Sequence, residues 1–555
     1  MSVFQFPPGT GGDGELVRVG ITLLRGGDGV CPLGAALKAR PGVKQEPPRS
    51  TRKPMPDFAL APWGGILDLV DRVDGTSVER AVRDGRVRSN CAPAHLAWAA
   101  EAARRHIDTR RADEERRVAA GHPPLRAVRY EWVARTSLNA PDARGGKEYQ
   151  RTAWGRRYVS EDGSRREIWL PSFRSVRRDR SPAEIAAAAF VLAVGEPMVN
   201  DFGNYSPADT VWRQPDRVRV VGIGLGDGST EVLADWTHAE AVQRYALEAK
   251  RASAEVVSGT EAVPGQDCVG CEALSGCSAV PRVPGLLGVP APPRPRRRRS
   301  VSVSDLRAHA ACPSRYYLTR VLKLGDSRQE SVAIRRGRAV DRYLNEVHGA
   351  EPRVPCRHRT LPESLPGLSA EEVVPALAML AEHRAICPLD GLDPTERVVP
   401  QRRLVAWDPI ADVVVIADCD LFHTDRGGTV IRETKTSVRP LWTRGELVRS
   451  FPQLALAVLL MDRGVLGGDP RRSRVELEVL RPQGVGLEEL DPGDELTRER
   501  SRRVIADLAG PWSRDEGHPA TPGARADCAG CEVRRWCPDA AAENGTGAGE
   551  PEDRA

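Results

Sequence analysis

The chain has 555 residues, more than one hydrophobic core usually supports, so we expect more than one domain. Its formal net charge of +5 is compatible with a nucleic-acid partner but does not argue for one. The sequence contains no apolar run of about 18 residues that would span a membrane, and its N-terminus lacks the basic start and apolar core of a signal peptide. We therefore expect a cytoplasmic protein with no membrane partner.

The first half begins with residues 1–60, which are rich in Gly, Pro and charge and predict a poorly structured N-terminal arm. Helical patterns then run up to residue 117, and apolar and β-branched runs between residues 127 and 173 predict strands. Further helix and strand patterns follow up to residue 257. Residues 61–280 are thus predicted to form an α+β module.

Twelve cysteines in a reducing compartment indicate metal or cluster ligands rather than disulfides. Six of them form two triplets with the same spacing, Cys268-x2-Cys271-x5-Cys277 and Cys528-x2-Cys531-x5-Cys537. The other six are scattered, and we expect most of them to be small buried residues: Cys31, Cys91, Cys312, Cys356, Cys387 and Cys419. The ten histidines show neither H-x3-H nor H-E-x-x-H spacing, so a His-based zinc hydrolase is not expected.

Residues 281–300 join the two halves and combine prolines with arginines clustered between Arg294 and Arg299. Proline stiffens a chain and arginine keeps it solvated, so this segment predicts an interdomain linker. A solvated spacer is the expected role. Contact between the arginines and a phosphate backbone is the alternative.

The second half restarts at Ser302, an N-cap-like entry into a helix, and two further helical patterns, at about 334–347 and 370–386, precede a hairpin. A helix at 446–461, a strand at 475–480 and a final helix follow the hairpin. The polar residues 541–555 predict a disordered tail.

The hairpin carries the clearest chemical signal. Residues 413–416 are β-branched and apolar, so they predict a buried strand that delivers Asp420 at its end. After a turn, a second strand carries Glu433 and Lys435 two positions apart and therefore on the same face. Two carboxylates beside a lysine can hold a hard divalent cation, and the lysine can orient or deprotonate an attacking water, which is nuclease chemistry. The alternative is an ordinary exposed hairpin, because 28% of the residues are charged.

With these parts in order, the second half resembles the RecB-family PD-(D/E)XK nucleases of the iron–sulfur subgroup. That subgroup includes AddB-type recombination nucleases and CRISPR-associated spacer-acquisition exonucleases. The resemblance covers residues 301–540 and rests on the hairpin, the late cysteine triplet and an early cysteine in the context Cys312-Pro313-Ser314-Arg315-Tyr316. It implies an α/β fold with a restriction-endonuclease-like core, in which helices flank a mixed sheet. It also implies a 4Fe-4S cluster with the ligands Cys312, Cys528, Cys531 and Cys537. Zinc is the chemical alternative at this site.

The resemblance also implies catalytic roles. Asp420 matches the family's metal-binding aspartate, Glu433 and Lys435 match its E-x-K motif, and Gln453 matches the glutamine of its Q-x3-Y motif. The implied ligands of a Mg²⁺ or Mn²⁺ ion are the side chains of Asp341, Asp420 and Glu433 and the backbone carbonyl of Thr434.

Two positions depart from the family pattern. Asp341 stands where the family usually has a histidine ligand, and an aspartate can still bind Mg²⁺ or Mn²⁺ as a hard oxygen donor. Ala457 replaces the tyrosine of the Q-x3-Y motif, which removes a ring that contacts or positions DNA.

The first half ends in the same kind of cysteine triplet as the second, so we expect it to be a degenerate copy of the same architecture. A second cluster would be held by the first triplet together with Cys91, and Cys31 is the poorer candidate for the fourth ligand: Cys91, Cys268, Cys271 and Cys277. This half shows no Asp…Glu-x-Lys pattern, which predicts a non-catalytic module. An unrelated domain held together by zinc is the alternative.

The expected function is that of a Mg²⁺- or Mn²⁺-dependent deoxyribonuclease, acting as an exonuclease on single strands or duplex ends. Bacterial DNA repair, recombination or antiviral defence is the expected setting, with DNA as substrate and a helicase or another repair or defence protein as partner. The alternative is a non-catalytic iron–sulfur DNA-binding scaffold that serves a partner helicase or nuclease.

Overall fold

A computed structural model of the protein describes residues 5–27, 29–47, 59–71, 76–88, 91–138, 147–201, 203–294, 296–325, 330–438, 447–515, 528, 530–537 and 540. The disordered tail predicted at 541–555 lies outside these residues.

The first half contains two sheets and the helices around them. Its elements in chain order are β1 (Thr10–Gly12), β2 (Leu16–Gly20), α1 (Pro32–Lys38), β3 (Val43–Gln45), α2 (Ala61–Val70), α3 (Val78–Val82), α4 (Gly85–Arg88), α5 (Pro93–Ala119), β4 (Leu125–Val128), β5 (Glu131–Leu138), β6 (Lys147–Thr152), β7 (Arg156–Ser160), β8 (Arg165–Ser172), α6 (Pro182–Val194), β9 (Glu196–Asp201), β10 (Asn204–Pro207), β11 (Arg217–Gly224), β12 (Thr230–Thr237), α7 (His238–Arg244) and α8 (Lys250–Ser258).

The alanine-rich helix α6 packs against strands of both sheets, whose strand orders are β12-β11-β8-β7-β4 and β10-β9-β5-β6-β2. Ser181 caps the helix and Pro182 occupies its first turn, which starts the helix sharply. Ala186, Ala188 and Ala189 are fully buried, and their small side chains let the strands approach the helix axis closely. This helix therefore anchors the core of the first half.

The described part of residues 1–60 is not the loose arm that we expected. Strand β2 pairs in parallel with β6, and its residues Val17 and Val19 point into the core together with Ile21. This short alternation of buried residues lies between Gly- and charge-rich stretches, so the average composition of the segment conceals it.

The second half is built around one mixed sheet. Its elements in chain order are β13 (Arg299–Val301), α9 (Val303–Ala311), α10 (Pro313–Tyr316), α11 (Val332–Gly349), α12 (Ala370–His383), β14 (Val398–Asp408), β15 (Val413–Asp425), β16 (Gly428–Thr436), α13 (Leu447–Ser450), α14 (Pro452–Asp462), β17 (Arg474–Arg481), β18 (Gly484–Leu490) and α15 (Glu495–Arg514).

Strands β14, β15 and β16 pair antiparallel, β16 and β17 pair in parallel, and β17 and β18 pair antiparallel. Helix α14 connects the two parallel strands, and eight of its residues are buried, as expected for a crossover that covers a sheet. The mixed sheet flanked by helices confirms the predicted fold class. The β15–β16 pair is the predicted hairpin.

The two halves share one connectivity. In the first half, β4, β7 and β8 pair antiparallel, α6 crosses to the parallel strand β11, and β12 pairs antiparallel with β11. This order repeats β14, β15, β16, α14, β17 and β18, and the additional strands β5, β6, β9 and β10 belong to the other sheet. The repeat agrees with the expectation of a degenerate copy.

Residues 281–294 and 296–300 are not a solvated spacer. Leu286 and Leu287 are buried in the core of the second half, and the buried carboxylate of Asp408 accepts a hydrogen bond from the Leu287 backbone N–H at 3.1 Å. The buried Arg298 donates to Asp412 at 3.0 Å and to the Cys271 carbonyl at 3.3 Å. The prediction rested on proline and arginine content, and it missed the apolar residues between them. The division of the chain into domains stays a prediction.

Each cysteine triplet packs against the sheet of the opposite half. Leu274, inside the first triplet, lies in an apolar cluster with Val414 and Ile416 of β15. Val533, inside the late triplet, lies in a cluster with Trp169 and Ile223 of the first half. The two halves are therefore in reciprocal contact. Among the described residues, no helix is long and apolar enough to cross a membrane.

Candidate active site and metal-ligating clusters

The hairpin β15–β16 brings Asp420 and Glu433 to neighbouring positions. The last register pair before them is Leu421 with Arg432, so Asp420 and Glu433 follow directly at the open end of the hairpin. The backbone N–H of Thr434 donates to Asp420 Oδ2 at 2.8 Å, and the Glu433 side chain is buried. Local strand pairing therefore fixes the two carboxylates against each other.

Lys435 completes this group. Its Nζ lies 3.0 Å from Glu433 Oε2 and 3.6 Å from Asp420 Oδ2, and it donates to the Thr434 carbonyl at 3.3 Å. Burial alone would lower the pKa of Lys435, but the two carboxylates outweigh it and raise the pKa. The side chain is therefore a charged ammonium at neutral pH.

Helix α11 adds the carboxylate of Asp341. Asn345 donates to Asp341 Oδ2 at 3.2 Å, and Gln401 donates to Oδ1 at 3.1 Å. Burial, and then the charge of Asp420, raises the pKa of Asp341 to about 6 and that of Glu433 to about 7. Three carboxylates and one ammonium have a formal net charge of −2, and their oxygen atoms are the hard donors that Mg²⁺ and Mn²⁺ prefer.

A glycine allows helix α11 to reach this position. A Cβ atom at Gly337 would lie 2.9 Å from Thr436 Oγ1, closer than real Cβ atoms approach such a group. Because Gly337 has no side chain, α11 crosses the end of β16 in close contact. Asp341 follows one helical turn later, on the same side of the helix.

Gln401 is a candidate positioning residue that we did not predict. It lies on β14 between Pro400, which pairs with Leu421, and Arg402, which pairs with Cys419, and it interrupts the regular pairing opposite Asp420. Its φ of 49° is in the left-handed region, which is uncommon for a residue other than glycine. The sequence contains no signal for this conformation.

Gln453 is the second residue of α14 and is half-buried. Within the described part of the chain, no hydrogen bond or ion pair joins it to Asp341, Asp420, Glu433 or Lys435. Ala457 is buried in the core beneath the sheet.

The structure brings Cys312 to the late triplet. Cys312 caps helix α10, and its Sγ accepts a hydrogen bond from the backbone N–H of Arg315 at 3.4 Å. The guanidinium group of Arg315 binds Glu532 at 3.0 Å, next to Cys531, and both Cys312 and Cys531 raise the pKa of Arg315 after the larger contribution of Glu532. Cys312 and Cys531 therefore lie near the same arginine, and a shared site of Cys312, Cys528, Cys531 and Cys537 stays a prediction.

The first triplet meets Cys31 rather than Cys91. Cys31, Cys268, Cys271 and Cys277 line one small apolar cavity. Cys31 Sγ accepts from the Gly34 and Val263 backbone N–H groups at 3.2 and 3.4 Å. Cys91 lies just before α5 and does not line this cavity, and burial raises its pKa to about 12, as for an ordinary buried thiol.

A sequence signal for Cys31 was present. Cys31 caps α1 and precedes Pro32, just as Cys312 caps α10 and precedes Pro313. Cys91 was favoured because it precedes a predicted helix, as Cys312 does, and the shared Cys-Pro pair would have corrected that choice.

The buried carboxylates of the first half are neutralised within the protein. Arg219 donates to Asp113 at 2.6 and 3.0 Å and to Glu167 at 2.8 Å. Burial opposes ionisation of Asp113, but Arg219 outweighs it and lowers the pKa of this carboxyl. These carboxylates contrast with Asp341 and Glu433, whose pKa values are raised, and they agree with a non-catalytic first half.

The structure reveals one further group of potential ligands. The ligand atoms of His348, Cys356, His383 and Cys387 all lie within 4.8 Å of one another, and all four residues are buried. Our expectation that Cys356 and Cys387 are buried is confirmed, but their association with two histidines was missed. The spacing His383-x3-Cys387 was the available signal.

A comparison with known protein families covers most of the second half. Residues 300–538 match the family model of the PD-(D/E)XK nuclease superfamily. A solved structure of the protein SSO0001 is similar at 16% identity and a TM-score of 0.18, over 26% of this chain and 61% of that one. A candidate exonuclease from Eubacterium rectale is similar at 12% identity and a TM-score of 0.27, over 41% of this chain and 86% of that one. No curated protein matches the sequence. The second half of this chain, residues 300–538, is therefore a PD-(D/E)XK nuclease superfamily domain.

Proposed function

We propose that the protein is a divalent-metal-dependent deoxyribonuclease whose active site is formed by Asp341, Asp420, Glu433 and Lys435. The observation that carries the proposal is the meeting of three carboxylates from α11, β15 and β16 around one lysine, inside a nuclease-superfamily domain. The three carboxylates repel one another, and a bound cation would reduce this repulsion.

The side chains of Asp341, Asp420 and Glu433 and the Thr434 carbonyl would hold Mg²⁺ or Mn²⁺. These are hard oxygen donors, and burial, followed by the charge of Asp420, raises the pKa of Asp341 and of Glu433, an effect that a bound cation would oppose. When bound, the cation polarises the phosphate and stabilises the charge that develops during phosphodiester hydrolysis.

Lys435 has the role of orienting the attacking water. Its ammonium is held 3.0 Å from Glu433, and its raised pKa makes it a hydrogen-bond donor rather than a base. It can donate both to the water and to the scissile phosphate, which favours in-line attack. Asn345 and Gln401 hold the third carboxylate, Asp341, by hydrogen bonds to its two oxygens.

The substrate is DNA, and we propose exonucleolytic action on single strands or duplex ends. Arg338 and Arg342 line an open cleft that also contains Asp341 and Gln401. Guanidinium groups beside the acidic site can bind the phosphates that flank the cleaved bond. DNA repair, recombination or antiviral defence in a bacterium, together with a helicase or another repair or defence protein, is the setting that we propose.

We further propose that Cys312 and the late triplet hold a 4Fe-4S cluster, and that Cys31 and the first triplet hold a second one. Both sites consist of thiols alone, and both join a cysteine at a helix start to a distant triplet. A cluster that joins distant parts of the chain stabilises the native state by closing a long loop. In the described part of the first half, Arg219 pairs with the buried carboxylates of Asp113 and Glu167, and this half would serve as a structural or DNA-binding module.

Digestion of end-labelled single- and double-stranded DNA with Mn²⁺ or Mg²⁺ tests the enzyme. Lys435→Ala and Glu433→Gln should lose degradation and keep DNA binding, whereas the exposed Lys250→Ala is the matched control and should behave as wild type. Undiminished degradation by both variants would refute the assignment. If cluster-loaded wild-type protein binds DNA and does not degrade it, the non-catalytic scaffold is the correct function.

A further inference from the structure

A second potential metal site lies between helices α11 and α12, outside the group of Asp341, Asp420, Glu433 and Lys435. His348 is in the last turn of α11, Cys356 follows in the next loop, His383 ends α12, and Cys387 comes four residues later. His348 Nε2 lies 3.2 Å from His383 Nε2, 3.4 Å from Cys356 Sγ and 3.9 Å from Cys387 Sγ. Two imidazoles and two thiols therefore point at a common centre.

These separations fit one tetrahedral ion. Zn–N bonds of about 2.0 Å and Zn–S bonds of about 2.3 Å give tetrahedron edges of about 3.3 to 3.8 Å. The separations of 3.2, 3.4 and 3.9 Å between the ligand atoms nearly coincide with this range. A two-iron cluster with two histidines and two cysteines would divide the ligands between two metals and hold them farther apart.

The surroundings of this group are mostly apolar. Leu344, Val347, Met379 and Leu380 form the apolar core around it. Burying two imidazoles and two thiols in such a core is unfavourable unless they are paired or bind a metal. The protein would supply all four ligands of a tetrahedral ion, which leaves no open coordination position for a substrate.

We propose that His348, Cys356, His383 and Cys387 bind a structural Zn²⁺ ion. The ion joins the end of α11 to the end of α12 and so closes the two-helix segment that precedes β14. A closed site with two cysteines and two histidines stabilises the fold and takes no direct part in a reaction.

A hydrogen-bonded carboxylate orients one ligand and connects the site to the catalytic strand. His383 Nδ1 lies 2.5 Å from Glu478 Oε1, which leaves Nε2 free to bind the ion. Such a carboxylate–histidine pair fixes the tautomer of a ligating imidazole. Glu478 is buried on β17, and its other oxygen accepts a hydrogen bond from Thr434 Oγ1 at 3.3 Å.

Thr434 stands between Glu433 and Lys435, so the zinc site supports the strand that carries them. This consequence rests on the proposed nuclease function, whereas the zinc site itself does not. Without the ion, His383 is no longer held in place, and its partner Glu478 can no longer orient Thr434. Mn²⁺-dependent cleavage should then require a higher Mn²⁺ concentration.

Metal analysis of the purified full-length protein tests the proposal. Wild type should contain one equivalent of zinc more than the Cys356→Ser/Cys387→Ser variant, and both should contain the same amount of iron. Cys419→Ser removes a buried thiol outside the group and is the matched control, with zinc content equal to that of wild type. Equal zinc in wild type and in the double variant would refute the site.

X-ray absorption at the zinc edge tests the same site without any substitution, which keeps the proposal falsifiable if the double variant does not fold. The expected shell has two sulfurs at about 2.3 Å and two nitrogens at about 2.0 Å. A shell of four sulfurs would place the zinc in the cysteine sites and overturn the proposal, as would an absence of zinc. Zinc bound in this way by a protein that does not cleave DNA would support the zinc site and refute only the nuclease function.

Discussion

Lys435 and Glu433 lie on the same face of one strand, with Nζ 3.0 Å from Oε2. Each side chain shifts the other's pKa toward its charged form, but burial and Asp420 act more strongly on Glu433, and the pKa of that carboxyl is raised to about 7. One ammonium is therefore insufficient to neutralise this site. The divalent cation that we propose would supply the charge that is missing.

The affinity for Mn²⁺ should increase with pH. Asp341 and Glu433 have pKa values of about 6 and about 7, raised by burial and then by Asp420, and each must lose its proton before the cation binds. The affinity should rise as the pH passes through these two values and then level off. The metal-free protein should lose stability as the pH rises from the ordinary carboxyl pKa of about 4 up to these two values, because over that range its folded state holds protons that its unfolded state has lost. Calorimetric titration checks the binding, and a flat pH profile would contradict the site.

Substitution of Gln401 by Ala should weaken Mn²⁺ binding about tenfold, because a hydrogen bond to a charged carboxylate contributes roughly 1.4 kcal/mol. The side chain of Gln401, whose backbone is in the left-handed region, donates to Asp341 at 3.1 Å. The Mn²⁺ concentration that gives half-maximal cleavage should rise accordingly. Gln214→Ala, in the exposed part of the first half, is the control. An unchanged Mn²⁺ requirement would remove Gln401 from the site.

Gly337→Ala should destabilise the second half by about 1–3 kcal/mol through overpacking. The new methyl group meets Thr436 Oγ1 at 2.9 Å and pushes α11, and with it Asp341, away from the sheet. Urea denaturation and cleavage rates measure the two effects. In the same experiment Gly64→Ala, a helical position with open space, should stabilise by up to about 1 kcal/mol. Thr436→Ala should partly rescue Gly337→Ala, and failure to do so would place the strain elsewhere.

Cys31→Ser should lower the iron content of the protein, whereas Cys91→Ser should leave it unchanged. Cys31 lines the cavity of the first triplet, and Cys91 does not. Anaerobic purification, iron analysis and the broad absorbance near about 400 nm of thiolate-bound iron compare the two variants. Loss of iron on substitution of Cys91 alone would make Cys91, as first predicted, the fourth ligand of the first triplet. A colourless wild-type protein with zinc in both cysteine sites would replace the clusters with zinc.

Arg219→Met should destabilise the first half by about 1–3 kcal/mol, because it removes the guanidinium that hydrogen-bonds both buried carboxylates, Asp113 and Glu167, and leaves them only longer ion pairs with Arg110, Arg116 and Arg117. Arg251→Ala breaks an exposed ion pair with Glu255 and should leave the stability nearly unchanged. Denaturant titration compares the two variants. Equal stability would mean that the buried network is neutralised in another way.

The hairpin could be predicted because two independent patterns coincided there. Apolar β-branched residues at 413–416 gave the strand, and the spacing of Glu433 and Lys435 gave the common face. The repeated cysteine triplet likewise indicated a repeated architecture, and the strand pairings of the two halves agree with it.

Other parts of the site could not be predicted because they depend on contacts between distant segments. Nothing in the sequence around Gln401 indicates a left-handed residue, since the interruption in strand pairing arises only when β14 meets β15. Cys356 and His383 are separated by a loop and a whole helix. The two residues become potential ligands of one ion only when helices α11 and α12 pack together.

The reciprocal packing of the triplets makes the two halves mutually dependent. Leu274 of the first half covers part of β15, which leads to Asp420, and Val533 of the second half covers part of the first sheet. Oxidative damage to the thiols at either site would therefore uncover apolar surface on the other half. Neither half should persist as an independent fragment, and the two halves should unfold together.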